Sequence, residues 1–208
     1  MRKNLRALIL TLAIVVTTGI SSKVYAVDTL NYAVKSGDYL WKICVKYEIG
    51  VSEVLAANPQ ITNPDQINIS QIIEIPYASE DKKLEKEVVI LVNQERSKVG
   101  LAPLVDNWEL SRVARYKSAD MADKNYFSHT SPTYGSPFDM MKNFGIKYTS
   151  AGENIAMGQQ TAASVMSSWM NSAGHKANIL SNNFTEIGVG VARNKNGTIY
   201  WTQQFIGK

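Results

Sequence analysis

A chain of 208 residues, 45% hydrophobic and 19% charged, has the balance of a globular protein with one or two small domains, not of a disordered segment. Its 22 basic and 18 acidic residues give a formal charge of +4, yet Arg2, Lys3, Arg6 and Lys23 all precede the first acidic residue. Beyond residue 26 the chain is neutral, 18 against 18, and no basic cluster interleaves with aromatics, which argues against a nucleic-acid partner.

The basic "MRKNLR" runs into the apolar "ALILTLAIVVTTGI", and "SSKVYA" then ends in small residues at Val24 and Ala26, two positions apart. This pattern predicts a signal peptide over 1–26, with membrane contact only through that segment if it stays uncleaved. The single cysteine, Cys44, cannot make an internal disulfide, which fits export into a bacterial cell wall. Its apolar neighbours in "LWKICVKY" predict packing over thiol chemistry.

"NYAVKSGD" reads as a short alternating strand, and Asp38 is placed to cap a helix carrying Leu40, Ile43, Cys44 and Tyr47. Gly50 is expected to stop that helix, and Ser52 to cap a second one that ends at Asn58-Pro59. "QIIEIP" closes with a second strand. The strand–helix–helix–strand order resembles the LysM module, through Tyr32, Val34, Gly37-Asp38, Leu40, Ile43, Gly50-Val51-Ser52, Asn58-Pro59, Ile61 and Ile75-Pro76. Ser70 stands where that family usually has glycine. The resemblance implies a module over 30–77 that binds N-acetylglucosamine-containing glycans such as peptidoglycan or chitin. Its groove would lie between Gly37, Asp38, Tyr39 and Leu40 on one side and Asn58, Pro59, Gln60 and Ile61 on the other.

A polar, charged linker is expected over 78–82, with a helix from about Asp81 whose stripe is Leu84, Val88, Leu91, Val92 and Val99, ended by Gly100. Further on, Asp106 or Asn107 can cap a helix over Leu110–Met121, Ser136 one that starts with Pro137, and Thr161 one over "AASVMSSWM". "TEIGVGVAR" and "TIYWTQQFI" around "NKNG" read as a β-hairpin. Trp108, Trp169, Trp201 and the Met140-Met141 pair are expected in the core.

Together, "LVNQERSKVGLAPL", "YFSH", "AGENIA", "SSWMNSAGHKANIL" and "FTEIGVGVA…YWTQQF" resemble the CAP superfamily in its compact bacterial, SCP-like form. That implies an α+β chain: a small βααβ LysM module, then an α-β-α sandwich CAP domain over 83–208 with an open cleft beside a central antiparallel sheet. In that family the cleft presents two histidines and two acidic side chains, which in some members bind a divalent cation. His129 and Glu153 match the pattern, and His175 is the second imidazole. The second acidic position falls on Ser172, with Glu186 as a substitute. His129, His175 and Glu153 would make a site for zinc or another divalent cation with an open position for water, or acid–base groups without metal.

There is no HExxH, no catalytic Cys-His pair and no Ser-His-Asp pattern, and the chain has 2 histidines in all. The sequence therefore favours a secreted, wall- or spore-associated binding protein, with a small ligand, lipid or envelope protein at the CAP cleft. A LysM-targeted, metal-dependent wall hydrolase and a non-catalytic envelope or spore-coat assembly factor are the alternatives.

Overall fold

The structure, a computed structural model, describes residues 29–77 and 79–208. The expected signal segment lies outside the described residues. No described helix is long and apolar enough to cross a membrane.

In the first domain β1 (Thr29–Ala33) pairs antiparallel with β2 (Ile72–Pro76), Tyr32 opposite Ile73, and α1 (Leu40–Lys46) and α2 (Val51–Ala57) cover one face. The strands alternate, so Tyr32, Ile73 and Ile75 point inward, where they meet Leu40, Ile43, Cys44 and Val54. Cys44 is part of this core, and burial pushes its thiol up to about 11. The helix punctuation differs from the sequence reading. Asp38 caps nothing: its carboxylate accepts from the Lys35 backbone N–H and the Tyr32 hydroxyl, both at 2.8 Å, while α1 starts at Tyr39 without a side-chain cap. The left-handed residue after α1 is Glu48, at φ 52°, and Gly50 instead stands at the N-cap of α2, so Ser52 lies inside that helix. Ser70, where the family favours glycine, holds a φ of 69°, a backbone state that glycine adopts without penalty.

The expected linker is mostly helix. α3 runs Ser79–Lys98, so 79–82 belong to it, and Val99 falls beyond its end and is 57% exposed. Gly100 follows at φ 75°, as a helix terminator should.

The second domain is built on a sheet of order β3-β5-β6-β4: β3 (Val105–Asp106), β4 (Ser150–Met157), β5 (Glu186–Arg193) and β6 (Ile199–Gly207). All pairings are antiparallel except the short β3–β5 contact, which is parallel. On one face α3, α6 (Ala162–Met170) and α7 (Ala173–Ile179) close a core with Val88, Val92, Val165, Trp169, Val189 and Trp201. On the other face lie α4 (Trp108–Lys124) and α5 (Pro137–Asn143), with Met140 and Met141 buried against Leu110 and Ile206. Trp108 is only partly buried. The caps at Asn107, Ser136 and Thr161 form as the sequence indicates; each side chain accepts from a backbone N–H one turn on.

α4 lies unusually close to the sheet because Gly188 and Gly190 present no side chain to it. A Cβ on Gly190 would stand 2.1 Å from the Arg115 backbone nitrogen, and one on Gly188 would stand 2.4 Å from the Leu110 carbonyl carbon.

Candidate functional site

Glu153 sits on β4, the open edge strand, opposite Gln204 of β6. Gln204 Nε2 donates to Glu153 Oε2 at 3.0 Å, and His129 Nδ1 lies 2.9 Å from Glu153 Oε1. A carboxylate in its ionised form only accepts, and the proton of this bond is then on Nδ1. The pair is asymmetric: the Glu153 side chain is 1% exposed and that of His129 52%. One is the fixed base of the site and the other its accessible surface.

His129 is on the loop after α4, which two α4 side chains hold in place. Lys117 is fully buried, and its ammonium donates to the carbonyls of Ser128 and His129, both at 2.7 Å. Burial pulls the Lys117 pKa below the ordinary lysine value, against the pull of Glu153 and Asp120. Asp120 accepts from Ser131 Oγ at 2.7 Å and Tyr126 Oη at 2.6 Å, and also from Thr133. Burial would raise this carboxyl, but the hydrogen bonds from Thr133, Tyr126, Ser131 and Lys124 outweigh it and hold it far below the usual carboxylate range.

A stability consequence follows with a defined sign. Because the folded pKa of Asp120 is depressed, its contribution is complete above the unfolded aspartate value of about 3.9 and is lost as pH falls through the folded value. The protection of the Ser128–Thr133 amides, measured as exchange relative to the unfolded chain at the same pH, should therefore fall as pH drops below about 4. Asp120→Asn should show quickened exchange already at neutral pH. Equal exchange in parent and variant would remove Asp120 from this role.

His175 reaches the same edge from the opposite helical layer. Its carbonyl accepts from Asn154 Nδ2 at 3.1 Å, and Asn178 Nδ2 donates to Asn154 Oδ1 at 2.8 Å and to the Glu153 carbonyl at 3.2 Å. Burial and then the nearby His129 lower the His175 pKa below the ordinary histidine value. Gln203 Oε1 accepts from Asn154 on the same face at 2.9 Å. Among the described residues, Gln203 Nε2 and Gln204 Oε1 are buried polar atoms without a partner.

The structure thus joins His129 to Glu153 and places His175 beside them. It does not add the second acid. Glu186 accepts from Asn107 Nδ2 at 2.5 Å and pairs with Lys208 at 2.7 Å, at the N-terminus of α4. Ser172 is the N-cap of α7, without a side-chain cap bond. A hollow of about 540 Å³ near Asn107, Tyr148 and Lys208 lies at that end of the sheet, away from the imidazoles.

Nor do His129, His175 and Glu153 form the expected three-ligand ion site. Both Glu153 oxygens are already engaged, and among the described residues no three His, Cys, Asp or Glu side chains are grouped to hold a metal. As placed, these donors do not fit such an ion, because the three side chains are not grouped around a common point.

Sequence reasoning missed Lys117, Asp120, Asn154, Asn178, Gln203 and Gln204. The available signal was the pair of amides inside the apolar run "YWTQQFI", since buried polar residues in a strand need partners.

In the first domain the expected glycan-binding residues divide into two kinds. Gly37, Tyr39, Pro59 and Gln60 are exposed and Asp38 partly so, but Leu40, Asn58 and Ile61 turn inward. Asn58 is a staple: Nδ2 donates to the Val54 and Glu74 carbonyls at 2.7 and 2.6 Å, and Oδ1 accepts from the Glu74 N–H at 2.9 Å. These three shape the loops from within and are not part of the exposed surface. The α2–β2 loop encloses a hollow of about 520 Å³ whose polar lining is neutral, with Gln60, Asn63, Gln66, Asn68 and Gln71 supplying amides.

Residues 32–76 match the LysM domain, and residues 89–205 match the cysteine-rich secretory protein (CAP) family. The chain is 64% identical over 124 residues to the uncharacterized protein YkwD of Bacillus subtilis, covering 60% of this chain and 47% of that protein. It is 46% identical over 45 residues to the endolysin of Bacillus phage PZA, covering 22% of this chain and 17% of that one. The extracellular SCP-domain protein of Bacillus anthracis superposes with a TM-score of 0.58 at 33% identity, over 67% of this chain and 47% of its own. The chain spans less than half the length of the curated relatives it matches. With the α-β-α sandwich and the LysM fold both in place, this chain belongs to the cysteine-rich secretory protein (CAP) family and carries a LysM domain ahead of its CAP domain.

Proposed function

We propose that this is an exported cell-envelope protein that attaches to N-acetylglucosamine-containing wall glycan through its LysM domain and presents the His129–Glu153–His175 edge as a ligand-binding cleft. The observation that carries the reading is the neutral, amide-lined hollow of the α2–β2 loop. Uncharged, hydroxyl- and acetamido-rich sugars match such a lining, whereas a nucleic acid or an acidic polymer would find no cation there. The resemblance of the first domain to a phage endolysin segment supports a wall setting.

A second reading is favoured by one feature of the cleft. His129 is half exposed and bonded through Nδ1 to the buried Glu153, an arrangement able to take a proton from a water or a hydroxyl. This would make the protein a wall hydrolase in which LysM supplies targeting. Two expected partners of hydrolytic chemistry, a second acid and a three-ligand metal set, are missing among the described residues, so binding is the preferred reading.

The mature chain should sediment with insoluble peptidoglycan and be released by soluble chitooligosaccharides. Gln66→Ala with Asn68→Ala should weaken sedimentation about 10-fold, the equivalent of two lost neutral hydrogen bonds. Failure to sediment would turn the assignment toward an assembly factor. Release of reducing sugars or free amines from the wall, lost in His129→Ala, would turn it toward the hydrolase.

A further inference from the structure

The two domains keep separate apolar cores. The cluster around Tyr32, Val54 and Ile75 takes in no residue beyond the first domain, and the clusters of the second domain begin at Leu84. What joins them is charge. The first domain offers a single stretch, Tyr47 to Glu53, which runs from the end of α1 into the first turn of α2. The second brings four cations to it, Lys82 and Lys86 from α3 and Arg112 and Arg115 from α4. Arg112 Nη2 donates to Glu53 Oε2 and Ser52 Oγ, both at 2.9 Å, and its Nε donates to Glu53 Oε1. Lys86 bridges Glu48 Oε1 at 3.1 Å and Asp106 Oδ2 at 2.6 Å. Arg115 reaches the Glu48 carbonyl at 3.4 Å while its guanidinium pairs with buried Glu85, and Lys82 donates to the carbonyls of Tyr47 and Glu48. Behind this polar contact lies a hollow of about 370 Å³ walled by Ile49, Pro76, Tyr116, Ala119 and Val191. The apolar surfaces of the two domains face each other without closing.

We infer that the Tyr47–Glu53 stretch of the LysM domain docks on the α3–α4 face of the CAP domain as an ionic clasp. The clasp holds the two domains at one orientation and releases them, each still folded, when its charges are screened or removed. The occupant of this face is assigned by complementarity: two carboxylates and a set of carbonyls on one side meet four cations on the other. Arg112 is the centre of the clasp, because its fork grips both oxygens of Glu53 and the adjacent hydroxyl. Interfaces of this kind between domains are small and polar, and without an apolar seal domain motion is the default once the ion pairs are lost. Salt acts directly on such a contact, since the screening length falls from about 10 Å at 0.1 M to about 3 Å at 1 M. The inference is independent of what either domain binds.

The test uses the mature chain with exposed Asp65 and Asn196 replaced by cysteine and spin-labelled. Cys44 stays unlabelled because it is buried and its thiol is pushed up to about 11. Pulsed dipolar spectroscopy at low salt should give one narrow distance distribution. That narrow peak should be lost at roughly 1 M salt and in Arg112→Glu, and it should return in the double variant Arg112→Glu, Glu53→Arg. Circular dichroism should show native helix content throughout. If Arg112→Glu fails to fold, Glu53→Gln carries the test, since it alters no packing volume. A broad distribution in the parent at low salt, or a narrow one that survives both high salt and the charge reversal, overturns the clasp.

Discussion

Replacing Gly190 with alanine is expected to destabilise the CAP domain by about 3 kcal/mol or more, the upper range of overpacking penalties. The added methyl would meet the Arg115 nitrogen at 2.1 Å, the Ala114 carbonyl carbon at 2.2 Å and the Ala114 oxygen at 2.6 Å. These are backbone atoms of a helix, which cannot swing aside as a side-chain tip can. Either α4 lifts from the sheet or β5 bends, and both open the contact that positions Ser118, whose hydroxyl bonds the Gly190 carbonyl at 2.9 Å and Thr202 Oγ1 at 2.8 Å. A fall in Tm of roughly 10 °C, read by circular dichroism, is the expected size. Gly174→Ala is the matched control. It sits in α7 with nothing within 4 Å of the new methyl, so it should leave Tm unchanged or raise it slightly. Equal behaviour of the two variants would mean that the close approach of α4 is not what fixes this layer.

The second large effect concerns Arg96. This arginine is nearly fully buried in α3 and has no carboxylate partner among the described residues; it is satisfied by carbonyls instead. Nε donates to Ala102 at 2.9 Å, and Nη1 donates to Ile179 at 2.9 Å and Ser181 at 2.7 Å. The last two close the C-terminus of α7, the helix that carries His175, so the cation also meets the negative end of that helix. Arg96→Met keeps most of the apolar stem and removes all three donors. The expected loss is about 3–5 kcal/mol, since each buried carbonyl left unpaired costs about 1–3. Chemical denaturation should show the loss, and His175 should titrate nearer the ordinary histidine value as α7 loosens. A Tm within about 2 °C of the parent would show that water replaces the guanidinium without strain.

What the sequence revealed and what it withheld divide along physical lines. The caps at Asn107, Ser136 and Thr161 were legible because each side chain bonds a backbone group one turn away, an interaction contained within the local segment. Ser52 and Asp38 look equally suited to capping, yet other partners claim them, a distant one for Ser52 and residues just before it in the chain for Asp38. Arg112, 60 residues away, donates to the Ser52 hydroxyl, and the Tyr32 hydroxyl and Lys35 N–H take the Asp38 carboxylate. At the site, His129 and Glu153 were found through motif resemblance, and their pairing follows from it. Lys117, on the same helix stripe as Leu110, Val113, Ala114 and Met121, and Gln204 were not assigned to the site, because their partners lie on another loop and another strand. Their burial is imposed by the loop and the neighbouring strand that fold over them. A residue list also carries no distances, and it could not show that Glu153 is bonded to His129 and Gln204 while no three ligating side chains are grouped among the described residues.

The two imidazoles are mounted on opposite walls of the sandwich. His129 belongs to the loop pinned by α4, and His175 to α7 on the far face, and both lie at the edge where β4 has no neighbour beyond it. The gap between them therefore behaves like the jaws of a caliper whose setting is the thickness of the domain. Core substitutions such as Val165→Ala or Phe205→Leu, made far from either histidine, change that thickness and with it the distance between the two walls.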